Sequence, residues 1–199
     1  MRATDVEPDR FQAMQLAAEE FVEVLPERIN LGLVAFAGTA ATLVTPTTDR
    51  DEVLTAIDNL ELAEATAIGD AIFTSLTAIT NYQATLASEG MEAPPARIVL
   101  LSDGFRTSGR SMEDAGAAAT AANVPVSTIA FGTDAGVVDI RGALQRVPVD
   151  RRALQELAER SEASMRALEA ELAKQKRMTT VAIAVAAVAA VLALWAGLR

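Results

Sequence analysis

The run Ile98-Val99-Leu100-Leu101 narrows the choice of fold more than any other stretch of the chain. It is continuously aliphatic, of strand length, and closes on Ser102-Asp103-Gly104. A strand with no polar residue alternating through it must be covered on both faces, which is the condition of a sheet with helices packed on either side. Segments of helical period lie before and after it, so the run belongs in a layered α/β arrangement.

The remaining segments support that reading. From residue 7 to residue 25, Phe11, Met14, Leu16, Ala18, Phe21 and Val22 recur near helical spacing, Pro8 suits a first turn and Pro26 ends the pattern. Residues 29–36 and 41–44 read as two strands joined through Gly38-Thr39, a hairpin on one edge of the sheet. Asp49 and Glu52 form a capping box for a helix over 50–60, and a longer helix is expected over 67–88. The stretch from Gly90 to Pro95 breaks the pattern before the aliphatic strand. Ser111 and Asp114 open a helix that reaches Ala122, and residues 125–131 make the next strand. Residues 132–149 read as a loop or small hairpin, after which Asp150 caps a helix running to Arg177. Strands alternating with helices predict a mostly parallel sheet with one antiparallel edge hairpin. Ligands of such sheets bind beyond the carboxyl ends of the strands, where Asp103 stands.

Composition removes whole classes of chemistry. The chain has neither His nor Cys, which excludes Ser-His-Asp and Cys-His nucleophiles, thiolate or imidazole zinc sites and disulfides. Any metal would have to be held by oxygen, which points to Mg²⁺, Mn²⁺ or Ca²⁺. A net charge of −10 argues against nucleic acid as a partner, because phosphate binding needs a basic face.

Residues 178–198 carry no charge, and a span of the hydrocarbon core needs about 20 residues. They are expected to form a transmembrane helix, with Trp195 near one end; their alanine content leaves an interfacial helix as the lesser alternative. Arg166, Lys174, Lys176 and Arg177 precede this segment and Arg199 follows it. That bias places the preceding region in the cytoplasm and the protein in the cell membrane, unless further spans lie upstream. The expected organisation is a domain over residues 1–150, a charged helix or linker over 151–177 and the span over 178–198.

Two residues stand out as candidate ligands. Thr66 precedes a helix, where a hydroxyl commonly caps free backbone N–H groups but can equally point at a cation. Asp103 with Gly104 is either a strand-ending turn or a carboxylate facing the ligand crevice. Around them, Leu33-Val34-Ala35-Phe36-Ala37-Gly38, Thr66-Ala67-Ile68-Gly69-Asp70-Ala71-Ile72 and Ser102-Asp103-Gly104 resemble the von Willebrand factor A (VWA) family. Asp5, Pro8 and Arg10, and later residues 129–134 and 147–150, are similar to bacterial membrane-bound members of the aerotolerance type.

This resemblance implies a Rossmann-like sheet and a metal-ion-dependent adhesion site (MIDAS). Thr66 would be a direct ligand, Asp103 a ligand through water, and the ion, Mg²⁺ or Mn²⁺, would bridge to a carboxylate on a protein partner. It also implies pairing with a MoxR-type AAA+ ATPase. Two departures stand beside it. The family's first strand, ending in Asp-x-Ser-x-Ser, is not in this chain, and the Gly-Gly turn and short strand expected after Ser161 are replaced by Glu162-Ala163-Ser164-Met165. The chain is therefore expected to hold no metal unless that motif is restored, to have a bare far sheet edge, and to continue upstream of Met1. The resulting expectation is a membrane-anchored interaction module rather than an enzyme. The competing readings are a metal-free structural module or gene fragment and, less favoured, a Mg²⁺-dependent α/β enzyme. Against the enzyme stand the missing Gly-x-Gly-x-x-Gly, Gly-x-Ser-x-Gly and P-loop patterns.

Overall fold

The computed structural model describes residues 1 and 3–163, apart from 64, 105, 106 and 141, together with 166, 167, 170 and 173. Contacts divide the chain into Met1–Glu162 and Ala163–Arg199. The elements below all belong to the first of these units.

Helix α1 (Arg10–Val24) starts where Asp9 accepts hydrogen bonds from the Phe11 and Gln12 backbone N–H groups, so the free donors of the first turn are satisfied by one carboxylate. Pro8 lies before this cap, in a cis peptide bond with Glu7, and not in the first turn. The chain then forms a hairpin of β1 (Leu31–Phe36) and β2 (Ala40–Thr47). Its register shifts twice between Leu31 and Val34, opposite the stretch of β2 that holds Pro46. Proline has no N–H to give to a ladder, so pairing there has to be irregular.

Helix α2 (Arg50–Asp58) is capped as expected, with Asp49 accepting from the Glu52 backbone at 3.1 Å. Helix α3 (Ile68–Ser88) spans 21 residues. Strand β3 (Ile98–Ser102) follows, then α4 (Met112–Ala121), whose cap Ser111 accepts from the Asp114 backbone, and then β4 (Val126–Ala130). Strands β3 and β4 pair in parallel, from Ile98 opposite Val126 to Ser102 opposite Ala130. Beyond β4 comes a small antiparallel hairpin of β5 (Val137–Ile140) and β6 (Ala143–Arg146). Helix α5 covers residues 151–162, and Asp150 caps it by accepting from the Ala153 backbone.

Two apolar clusters hold these pieces together. In the larger, Ile68, Ile72 and Leu76 of α3 meet Ile98 and Leu100 of β3, Ala115 and Ala119 of α4, and Leu154 and Leu157 of α5. Spacings of three and four residues along each helix put these side chains on one face. Burying each of the larger aliphatic side chains contributes about 1.5–3 kcal/mol. The smaller cluster joins Val22 of α1, Val44 of β2, and Val53 and Ile57 of α2.

The architecture differs from the sequence expectation in two respects. In place of one mostly parallel sheet there are, among the described residues, three two-stranded sheets, of which only β3–β4 is parallel. No strand is hydrogen-bonded to both β1 and β3 there, so the two ladders stay separate and meet through α3 instead. The second correction concerns the membrane span and the cell-membrane location and topology drawn from it. Among the described residues no helix is long and apolar enough to cross a membrane. Helix α3 has the length but carries Asp70, Asn81 and Gln83. Residues 178–198, on which the expectation rested, lie outside the described residues.

Helix α5 is tied to β4 by two polar contacts, one of them from Thr128 Oγ1 to the Leu154 carbonyl at 3.2 Å. Ser161, 1% exposed, accepts a 2.8 Å hydrogen bond from the Val126 backbone N–H at the start of β4. Replacing it with alanine leaves that donor buried and unpaired. Ser161→Ala is expected to lower stability by about 1–3 kcal/mol, measured by urea unfolding, whereas loss of a solvated surface hydroxyl would leave the midpoint unchanged.

Candidate functional site

Asp103 follows the last residue of β3, at the carboxyl end of the parallel pair, and is 8% exposed. Its backbone is fixed from two sides. The carbonyl accepts from Asp150 N at 2.9 Å, and the next residue, Gly104, donates to Ser102 Oγ at 3.1 Å. Gly104 has φ +81°, and a Cβ there would come within 2.5 Å of the Asp150 carbonyl oxygen. Only glycine fits this turn, because a side chain would meet both the left-handed backbone and the start of α5.

The loop that carries Thr66 is stapled to the segment that follows Asp103. Thr66 N donates to Thr107 Oγ1 at 2.7 Å, and the Thr66 carbonyl accepts from the Thr107 backbone at 3.1 Å. Ala67 N donates to the Ala37 carbonyl at 2.7 Å, so the end of β1 is drawn to the same place. Thr66 does not cap α3: the cap position is Ala67, and no side chain bonds the first turn. Thr66 and Asp103 thus come to one end of the fold, linked through residue 107, without a hydrogen bond between their side chains among the described contacts.

The most heavily bonded group in this region is Arg10, 1% exposed at the first position of α1. Its Nε donates to Asp5 Oδ1 at 2.7 Å and its Nη2 to Asp5 Oδ2 at 2.9 Å, a two-point fork. Nη2 also meets the carbonyls of Val147 at 2.9 Å and Thr133 at 3.3 Å. Asp5 Oδ2 accepts further bonds from Thr133 N at 2.6 Å and Thr133 Oγ1 at 2.7 Å. Asp103 Oδ2 lies 3.6 Å from Arg10 Nη1 and 2.7 Å from the Met1 amino nitrogen.

Sequence reasoning placed Asp5 and Arg10 in a family-like motif but did not see that they pair, nor that Thr133 completes the pair. The available signal was a lone arginine opening the first turn of an otherwise apolar-faced helix, five residues after an aspartate. Thr133 lies in the family-like stretch 129–134, but nothing there marks it as the partner of Asp5, 128 residues away.

These contacts do not make a cation site from the residues described. Asp103 Oδ2 already lies beside the buried Arg10 guanidinium, 3.6 Å from Nη1. A hard divalent ion takes six or more oxygens, and no cluster of three acidic, His or Cys residues that could hold a metal occurs among the described residues.

The Arg10 fork, and after it the two Thr133 donors, hold the Asp5 carboxyl far below its ordinary value of 3.8, although burial opposes them. A depressed folded-state pKa adds stability that is present above the unfolded-state value and fades as pH falls below it. Asp5→Asn is therefore expected to cost stability at neutral pH. The gap to the wild type should stay constant down to about pH 4 and narrow below it, measured by urea unfolding across pH.

Comparison with known proteins agrees with this geometry. The model of the von Willebrand factor type A domain family matches residues 1–105. A UPF0353 protein of Mycobacterium sp. (strain KMS) is 49% identical over 168 residues, covering 81% of this chain and 50% of the relative. The chain thus spans about half the length of the curated relatives it matches. Among solved structures, an aerotolerance-related membrane protein from Bacteroides fragilis NCTC 9343 superposes with a TM-score of 0.69 at 21% identity, covering 85% of this chain and 90% of that one. The manganese-loaded TRAP protein of Plasmodium vivax gives 0.52 at 13%, covering 78% and 58%. At such identities the two structures speak for the fold alone, and the family match carries the assignment: this chain belongs to the von Willebrand factor type A domain family.

Proposed function

We propose that this chain is a non-enzymatic protein-interaction module whose binding crevice opens at the carboxyl ends of β3 and β4. The observation that carries the reading is the placement of Asp103. It stands at a strand end, backed by a rigid turn and flanked by the stapled Thr66 loop, in a chain with no His or Cys to serve as nucleophile or base. In α/β sheets this is where ligands bind.

Thr66 and Asp103 mark the residual metal positions of the family. The manganese of the Plasmodium vivax protein supports a divalent ion, Mg²⁺ or Mn²⁺, as the family's cofactor, yet the residues described here do not hold one by themselves. The crevice of this chain is accordingly proposed to bind its partner without a metal bridge. The partner class that the resemblance to aerotolerance-type proteins implies is a MoxR-type AAA+ ATPase.

The test is the binding of an immobilised full chain to such an ATPase, followed by biolayer interferometry. Binding is expected to be the same in EDTA and in millimolar MnCl₂, and to weaken by about tenfold or more in Asp103→Ala. Binding that disappears in EDTA would overturn the metal-free reading, and binding indifferent to Asp103→Ala would overturn the location.

A further inference from the structure

Two acidic side chains that are far apart in sequence converge on a single buried guanidinium. Arg10 grips Asp5 with Nε and Nη2, and its remaining nitrogen, Nη1, lies 3.6 Å from Asp103 Oδ2. That distance is too long for a hydrogen bond but well within an ion pair. At 1% exposure, Arg10 is shielded from both water and salt, so its field reaches Asp103 with little screening. The Met1 amine also meets Oδ2, but that charge belongs to a chain end, whereas the charge of Arg10 belongs to a side chain.

The space around Arg10 is shaped for it. A Cβ built on Gly136 would overlap Arg10 Nη2, with Asp5 Oδ2 3.0 Å away, so the loop before β5 can close over the guanidinium only without a side chain. With Nη2 bonded to the Val147 and Thr133 carbonyls as well as to Asp5, the guanidinium is held in the orientation that turns Nη1 toward Asp103. An ion bound to Asp103 Oδ2 at about 2.1 Å would therefore sit within about 6 Å of a fixed positive charge.

We propose that Arg10 is the built-in counter-cation of the crevice: it balances and positions the Asp103 carboxylate, and it takes by charge the place a divalent ion would need there. Arg10 is thus a positioning residue acting through Asp103. The inference concerns the charge balance of this chain alone and does not rest on the identity of any partner.

Thermal unfolding of the full chain, followed by circular dichroism in EDTA and against millimolar MnCl₂, tests it. The wild-type midpoint is expected to be indifferent to Mn²⁺. Arg10→Met, of similar length but uncharged, should unfold roughly 10 °C lower in EDTA. Mn²⁺ should then raise its midpoint in a saturable way, because the Asp5 and Asp103 carboxylates and the Thr133 hydroxyl have lost their cation. Arg10→Lys, which keeps the charge but not the fork, should be destabilised without responding to Mn²⁺. Adding Asp103→Asn to Arg10→Met should abolish the response, a result that a merely structural arginine would not give. A saturable Mn²⁺ response in the wild type, or none in folded Arg10→Met, overturns the proposal. Should Arg10→Met fail to fold, Arg10→Lys decides: a midpoint indifferent to Mn²⁺ supports the proposal, and a saturable rise overturns it.

Discussion

The end of the molecule that carries Asp103 is organised around one buried charge. Taking a guanidinium out of water costs several kcal/mol, and arginine cannot avoid that cost by shedding a proton as a lysine can. The fold offsets it with a two-point bond to Asp5 and two backbone carbonyls, from Thr133 and Val147. Those partners come from the segment before α1, the end of β4 and the return from the β5–β6 hairpin. One side chain therefore sets how three separate stretches meet, and Asp103 is placed against the result.

This arrangement also accounts for how short, separate ladders make one unit. Strands β1–β2 and β3–β4 share no hydrogen bond among the described residues. Their ends are nevertheless brought together by backbone bonds at the start of α3, where Ala67 reaches the end of β1 and Thr66 reaches the segment after β3. Apolar packing through Ile68, Ile72 and Leu76 supplies the attraction, and the polar staples supply the alignment. Hydrophobic burial is without direction; a bond of 2.7 Å between named groups is not.

Membership of the von Willebrand factor type A domain family gives the crevice a context but leaves its chemistry to the residues that line it. Here a carboxylate, a threonine loop and a buried cation lie at the strand ends, and no acid–base pair built on His or Cys exists anywhere in the chain.

The sequence by itself determined the elements and their caps. The caps at Asp49, Ser111 and Asp150 are local patterns, and each formed where it was read. It also carried the family, through the motifs around Thr66 and Asp103. The sheet was not legible, because pairing depends on which strands come within hydrogen-bonding distance, and a strand's pattern records its burial but not its neighbour. Nor was the charge network. Asp5 and Thr133 are joined across 128 residues, and nothing in the local sequence of either says that the other will be there. Only the tertiary structure could decide that Arg10 is buried, what it holds, and that Asp103 faces it.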